Sequence, residues 1–239
     1  MPELTLASFN THYGVLPLSQ ACGPYDLMAA LEGLGEPDVM VIQEVWRRAG
    51  DRGIVDDFAH AHGYERHDVE FARATMQARW PRPDAEGEGT VGLAVLTRLP
   101  ARVLGRPALG PTRRDPIPGR RVIHLELDVR GTPIDLIGVH LTSVLPEGPP
   151  QQLRRLAKRF PDSGRPAVMT GDCNFWGWPA TALLPGWRRA VRGRTWPAPR
   201  PHSQIDHVFV RGGMDVLEAA VLPAVGSDHR PVRVRLRVN

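Results

Sequence analysis

Apolar and polar positions divide this chain into short segments with recognisable periods. Residues 4–10 form a largely apolar run ending on Asn10, which predicts a strand. Residues 25–34 carry apolar side chains at helical spacing and run into Gly35, and 38–42 is a short apolar, β-branched run. Together these predict a β-α-β start. A second helix is expected over 51–62, with Asp51 as its N-cap and Gly63 as its stop. Strand signals then crowd together at 65–71, 91–97, 102–109, 121–129 and 134–140, separated by turns such as Arg130-Gly131-Thr132-Pro133. Such close spacing predicts antiparallel pairing. A third helix over 151–160 leads to an apolar strand at 167–170, and further strands are expected near Ile205, Val216 and Val232. About ten or more strands with helices spread among them exceed what one sheet holds comfortably. The pattern therefore predicts two packed sheets with helices outside, a four-layered α/β/β/α sandwich. The Pro- and Gly-rich stretches 80–89, 110–119, 145–150 and 196–201 read as surface loops, where specificity commonly resides.

Composition narrows the class. At 239 residues and 42% hydrophobic, the chain can bury one sizeable core, and a single catalytic domain over 1–239 is expected. There is no basic and apolar leader at the start and no run near the roughly 18 apolar residues of a membrane span. A cytoplasmic protein without a membrane anchor, and a monomer, is the expectation. Cys22 and Cys173 fit no zinc spacing and are expected as reduced thiols. The net charge of +4 favours an anionic partner. Lys158 is the only lysine, so arginine carries that charge, and Arg98, Arg102, Arg106, Arg113, Arg114, Arg120 and Arg121 fall in one stretch opposed only by Asp115. Such a stretch either tracks phosphates or forms a solvated face. Trp80, Trp176, Trp178 and Trp196 are likewise either base-stacking or packing residues.

The candidate chemistry sits where apolar runs end. Ser8-Phe9-Asn10, Gln43-Glu44, His140-Leu141-Thr142, Gly171-Asp172-Cys173-Asn174, Ile205-Asp206-His207 and Ser227-Asp228-His229 together supply Asn, Glu, His and Asp. Oxygen ligands of this kind hold Mg2+, and a carboxylate-oriented imidazole activates or protonates an oxygen. Glu44 reads either as a surface residue closing a strand or as a cation ligand, and Gly171 to Asn174 either as an Asx turn or as a pair of projecting polar groups. In Asp228-His229 adjacent side chains diverge, so that Asp228 can face a metal while His229 turns to a second carboxylate, for which Asp206 is the candidate.

Taken in order, these clusters resemble the endonuclease/exonuclease/phosphatase superfamily, relatives of DNase I and the exonuclease III type enzymes. Gly92-Leu93-Ala94-Val95-Leu96-Thr97-Arg98 is similar to a recurrent strand of that family. The resemblance implies a DNase I-like sandwich of two mixed sheets, with Mg2+, or alternatively Mn2+, as cofactor. It implies Glu44 as the main metal ligand with Asn10 and Asp228 close by. His229, paired with Asp206, is implied as general base or phosphate-contacting acid, Asp172 and Asn174 as positioning or deprotonating the water, and His140 as stabilising phosphoryl charge. His229 and Asp172 remain alternatives for the base. Arg98, Arg120 and Trp176 are the substrate-binding candidates. The expected activity is phosphodiester hydrolysis, on nucleic acid or a smaller ester. The alternatives are a phosphomonoesterase acting on a small phosphorylated metabolite, inositol phosphate or phospholipid headgroup, and a non-catalytic binding module. Cys173 stands where a larger apolar residue is usual, and His207 where DNA-cleaving relatives often carry Arg or Tyr. Gln43-Glu44-Val45-Trp46 resembles the phosphatase and sphingomyelinase side.

Overall fold

In this computed structural model residues 1–16, 23–77, 80–84 and 86–239 are described; Cys22 and the side chain of Trp80 lie outside them. The elements in chain order are β1 (Glu3–Asn10), α1 (Leu27–Glu32), β2 (Val39–Arg48), α2 (Ile54–Ala61), β3 (Glu65–Gln77), β4 (Trp80–Pro83), β5 (Gly89–Thr97), β6 (Ala101–Gly105), β7 (Ile123–Val129), β8 (Thr132–His140), α3 (Gly148–Arg159), β9 (Ala167–Asp172), α4 (Gly177–Ala182), β10 (Arg188–Arg189), β11 (Asp206–Arg211), β12 (Met214–Val221) and β13 (Val232–Val238).

One sheet has the order β12-β13-β1-β2-β5-β3-β4 and the other β10-β11-β9-β8-β7-β6. Each contains one parallel pair, β1 with β2 and β8 with β9, and each of those pairs is joined through a segment containing a helix, α1 or α3. Parallel neighbours require such a crossover, whereas the remaining antiparallel neighbours do not.

Alternation along the strands produces three apolar layers. Leu4, Leu6, Val39, Val41, Leu93, Val95 and Val234 of one sheet face Ile123, Leu125, Leu136, Val168 and Val208 of the other. Residues of opposite parity, Phe9, Met40, Ile42 and Leu96, pack outward on Leu31 of α1 and Phe58 of α2. On the other side Ile137, Val139, Met169 and Phe209 pack on Leu153 and Leu156 of α3. The result is the α/β/β/α sandwich. Among the described residues no helix is long and apolar enough to cross a membrane.

Several local expectations are corrected. The second helix starts at Ile54 with Gly53 as N-cap, not at Asp51, because the Asp56 side chain accepts the Gly53 N–H at 3.0 Å. The segment opening with Trp80-Pro81 is a strand rather than a loop; β4 lies at a sheet edge, where proline removes no ladder bond from a second neighbour. α4 was hidden by Pro179, which falls in the first turn, where a missing N–H costs little. The expected strand 102–109 ends at Gly105, after a register shift against β7.

At Gly138 the inter-sheet core leaves no room for a side chain. A Cβ there would lie 2.8 Å from Ile123 Cγ2 and 3.2 Å from Val41 Cγ1, both in the shared core. Gly138→Ala is expected to destabilise the fold by about 1–3 kcal/mol through overpacking. Urea unfolding checks this, and an unchanged midpoint would show that the sheets part without cost.

Candidate active site

The site is where the inner rows of both sheets change from apolar to polar. On β1 the row runs Leu4, Leu6, Ser8, Asn10; on β8, Ile134, Leu136, Gly138, His140; on β9, Val168, Thr170, Asp172. β11 runs antiparallel to β9 and places Asp206 opposite Asp172, while the parallel β8 places His140 on its other side. Four polar side chains therefore meet at one end of the inter-sheet core through the period of two alone.

Glu44 reaches the same place by breaking the period. Met40 and Ile42 face outward, so Glu44 in a regular strand would follow them. The ladder with β5 shifts between Gln43 and Val45, and Glu44 takes φ +55°. This bulge turns its carboxylate inward, so that Asn10 Nδ2 donates to Glu44 Oε1 at 3.2 Å. Thr11 Oγ1 stands 3.0 Å from the carbonyl oxygens of both Gln43 and Glu44 and holds the distorted backbone. Ser227 Oγ donates to Asn10 O at 2.7 Å and accepts the His229 N–H at 3.1 Å, tying the segment before β13 to the end of β1.

The polar groups form one continuous network. Asn10 Nδ2 also donates to Asp172 Oδ2 at 3.0 Å. Asp172 accepts the Asn174 N–H at 2.7 Å and the Asn174 side-chain amide at 3.2 Å. His140 Nε2 lies 3.7 Å from both Glu44 and Asp172. His229 Nδ1 is 2.9 Å from Asp206 Oδ2, and its Nε2 is 3.8 Å from Asp172 and 3.9 Å from Asp228. Trp196 Nε1 donates to Asp228 Oδ2 at 3.1 Å.

Burial and mutual charge set the protonation states. Burial pushes the Asp172 carboxyl up to about 7, with Asp206 and Glu44 adding to it and His229 opposing. Burial, then Asp228, raises Glu44. Burial, with Arg120 and His229, keeps His140 neutral well below the usual imidazole range. Burial also works against a charged His229, but Asp206, Asp172 and Asp228 outweigh it and hold the imidazolium well above that range.

The sequence-predicted residues divide accordingly. Asn10, Glu44, His140, Asp172, Asn174, Asp206, Asp228 and His229 come together. Asn10 offers its amide N–H groups to two carboxylates while its Oδ1 accepts the His12 N–H at 3.0 Å. Trp176 lines the cleft and is 48% exposed. Arg120 lines it too, but its Nε faces Asp115 at 3.3 Å in a buried pair. Arg98 is a correction. β5 runs antiparallel to β2, pairing Thr97 with Val39, so Arg98 lies at the end opposite Glu44. There it bonds Glu36 and His62 O and covers the Tyr64 ring at 4.3 Å. The arginine stretch is equally dispersed: Arg102 pairs with Glu126, and Arg106 bonds Asp68 O. His207 points away from the site, with Nε2 2.9 Å from Phe175 O, and Cys173 is buried against α3 and α4.

Beyond the sequence-predicted residues the site also contains His12, Tyr13 and Trp196, which bonds Asp228, while Thr195 Oγ1 accepts the Ile205 and Asp206 N–H groups. A usable signal was Gly14 following so closely on Asn10, since a turn that tight turns the intervening side chains back over the strand end.

Glu44 and Asp228 fit a hard divalent cation. Both are carboxylates, burial and then the nearby Asp228 raise the Glu44 carboxyl, and among the described residues neither is ion-paired with an arginine or lysine. Asp172, Asp206 and His229 also bring one donor atom each within 4.8 Å of one another. His229 Nδ1 is already engaged by Asp206, so this trio is better suited to holding a proton.

The fold has structural counterparts. An endonuclease/exonuclease/phosphatase from Beutenbergia cavernae DSM 12333 superposes with TM-score 0.76 at 22% identity, covering 100% of this chain and 72% of that one. A family protein from Leptotrichia buccalis C-1013-b gives TM-score 0.69 at 17% identity over 99% of both chains. D. rerio TDP2 complexed with a single-strand DNA product gives TM-score 0.69 at 16% identity, again over 99% of both. No curated protein matches the sequence. The profile of the Endonuclease/Exonuclease/phosphatase family matches residues 7–229, from within β1 to His229, and so spans every strand end that contributes to the site. By that match the chain belongs to the endonuclease/exonuclease/phosphatase family.

Proposed function

We propose that this protein is a Mg2+-dependent phosphodiesterase that promotes in-line attack of water on phosphorus. The observation that carries this is the Asp206–His229 pair. Its Nδ1 side is locked at 2.9 Å, which leaves Nε2 directed into the cleft beside Asp172. Glu44 and Asp228 would hold the Mg2+, which would supply charge neutralisation at a phosphoryl oxygen. Asn10 and Trp196 fix the orientation of those two carboxylates.

The side chains divide the proton work. Asp172, held in plane by the two Asn174 donors, accepts the proton of the attacking water; its raised carboxyl suits a base acting near neutrality. His229, already protonated, donates through Nε2 to oxygen that gains charge as the P–O bond breaks. Asp206 stabilises the imidazolium until the proton leaves. His140, neutral, contributes one N–H to a phosphoryl oxygen.

A diester fits better than a monoester. The cleft encloses about 630 Å³ and is walled by Pro81, Ile117, Leu145 and Trp176, which suit ester substituents on both sides of phosphorus. Among the described residues Arg120 is the one arginine lining it, and Asp115 already pairs with it, which favours a singly charged diester over a monoester. A nucleic-acid strand is the favoured diester. Trp176, which lines the cleft, is 48% exposed, and exposed Arg113 and Arg114 flank Leu145 at its rim. Stacking faces next to cations suit single strands, and the D. rerio TDP2 neighbour is complexed with single-strand DNA.

The test is a substrate panel with Mg2+ and with EDTA: a single-stranded oligonucleotide, supercoiled plasmid, bis-p-nitrophenyl phosphate and p-nitrophenyl phosphate. EDTA-sensitive turnover of the diesters, with the monoester much slower, is expected. Faster monoester than diester turnover would overturn the diester reading, and turnover unaffected by EDTA would remove the metal.

A further inference from the structure

His12, Tyr13 and Gly14 take φ values of +46°, +56° and +75° directly after β1. Two consecutive non-glycine residues in the left-handed region are strained, and such strain persists only where the surroundings impose it. Here the Asn10 Oδ1 bond to the His12 N–H, the Thr11 hydroxyl and the Tyr25 hydroxyl on Thr11 O, at 2.7 Å, impose it. The outcome is a phenol folded back over the catalytic end of the strands.

The chain has three tyrosines, and two have evident structural work. Tyr64 OH donates to Pro37 O at 2.6 Å and Tyr25 OH to Thr11 O at 2.7 Å. Tyr13 OH has no hydrogen-bond partner among the described residues. Its ring packs on the inter-sheet core, and with Glu44, Arg120, Asp172 and Asp228 it lines the cleft. Burial and the nearby Glu44 raise its proton affinity, so it stays a neutral donor at any working pH.

We propose that Tyr13 is a catalytic residue whose hydroxyl donates a hydrogen bond to one non-bridging oxygen of the scissile phosphate. The assignment rests on the phosphodiesterase reading for its substrate but not for its geometry. No proton is transferred. The donor is aimed at an oxygen that gains charge in the transition state, where a fixed donor is worth more than in the ground state.

The experiment compares wild type with Tyr13→Phe, which keeps the ring, in the presence of Mg2+. The substrates are a phosphodiester and the separate Rp and Sp phosphorothioate diesters. On the oxygen ester kcat is expected to fall on the order of 100-fold. Sulfur is a weak acceptor, so the loss should shrink for one diastereomer and persist for the other. Equal losses on all three esters would make Tyr13 a packing residue, and unchanged turnover would remove it from the site. Calorimetric titration with inorganic phosphate separates this from the reading beneath it. Binding weakened about fivefold in Tyr13→Phe supports the contact even if no diester is hydrolysed. An active wild type whose phosphate affinity and turnover both survive the substitution overturns the contact alone. A wild type that neither hydrolyses diesters nor binds phosphate overturns both.

Discussion

His229→Ala is expected to lower kcat on an unactivated phosphodiester by at least about 100-fold, equivalent to roughly 3 kcal/mol of barrier. His229 is the cation between Asp172 and Asp206, 3.8 Å from one and 2.9 Å from the other. Its removal deletes the donor facing the reacting phosphate. It also leaves two buried carboxylates next to each other, so at least one binds a proton. Asp172 then loses its capacity as a base, and the substitution disables both ends of the proton path. The leaving group separates these effects. A p-nitrophenolate departs without a proton, so a defect caused by lost acid catalysis shrinks on bis-p-nitrophenyl phosphate, whereas a defect caused by a protonated Asp172 persists. Single-turnover rates with both esters, alongside circular dichroism to verify folding, provide the measurement. A folded variant keeping more than about a tenth of wild-type turnover on the unactivated ester would exclude His229 from this role.

Glu44→Gln is expected to raise the Mg2+ concentration for half-maximal activity by at least about tenfold. An amide retains the shape and an acceptor for Asn10 but gives up the charge. The stability of the metal-free protein should move the other way. Burial and Asp228 raise the Glu44 carboxyl, so the folded state prefers it protonated, and its contribution is lost as pH rises through that raised value. At neutral pH the wild-type carboxylate thus destabilises the metal-free fold, and glutamine relieves this. Without Mg2+ the variant should melt at the same temperature as wild type or higher. With saturating Mg2+ the wild type should gain more, because binding to the folded state alone stabilises by mass action. Thermal melts across a Mg2+ series read both signs at once, and an identical metal titration would remove Glu44 as a ligand.

The strands and their order of appearance were legible because a period of two is a local property. The same property exposed most of the site. Asn10, His140, Asp172 and Asp206 are the polar ends of apolar rows, and the residue types at those ends indicated phosphoester chemistry. Glu44 was found by its residue type at a strand end, although its alternation points to the outer layer. The bulge that turns it inward depends on how β2 pairs with β5 and on the Thr11 hydroxyl.

What stayed hidden involves separation in sequence. Arg98 seemed to belong to a basic stretch with Arg120. Sheet order and strand direction put them at opposite ends of the fold, one on Tyr64 and the other on Asp115. The Trp196 bond to Asp228 spans 32 residues, and the Asn10 bond to Asp172 spans 162. Neither has a local periodic signature. The sequence by itself determined the class of fold, the family and the kinds of groups at the site, because burial alternation and residue chemistry are written position by position. The tertiary structure alone decided which nitrogen of His229 faces the cleft, which carboxylates flank that imidazole and which tyrosine hydroxyl is left without a partner among the described residues, because those depend on distances set by two sheets packing face to face.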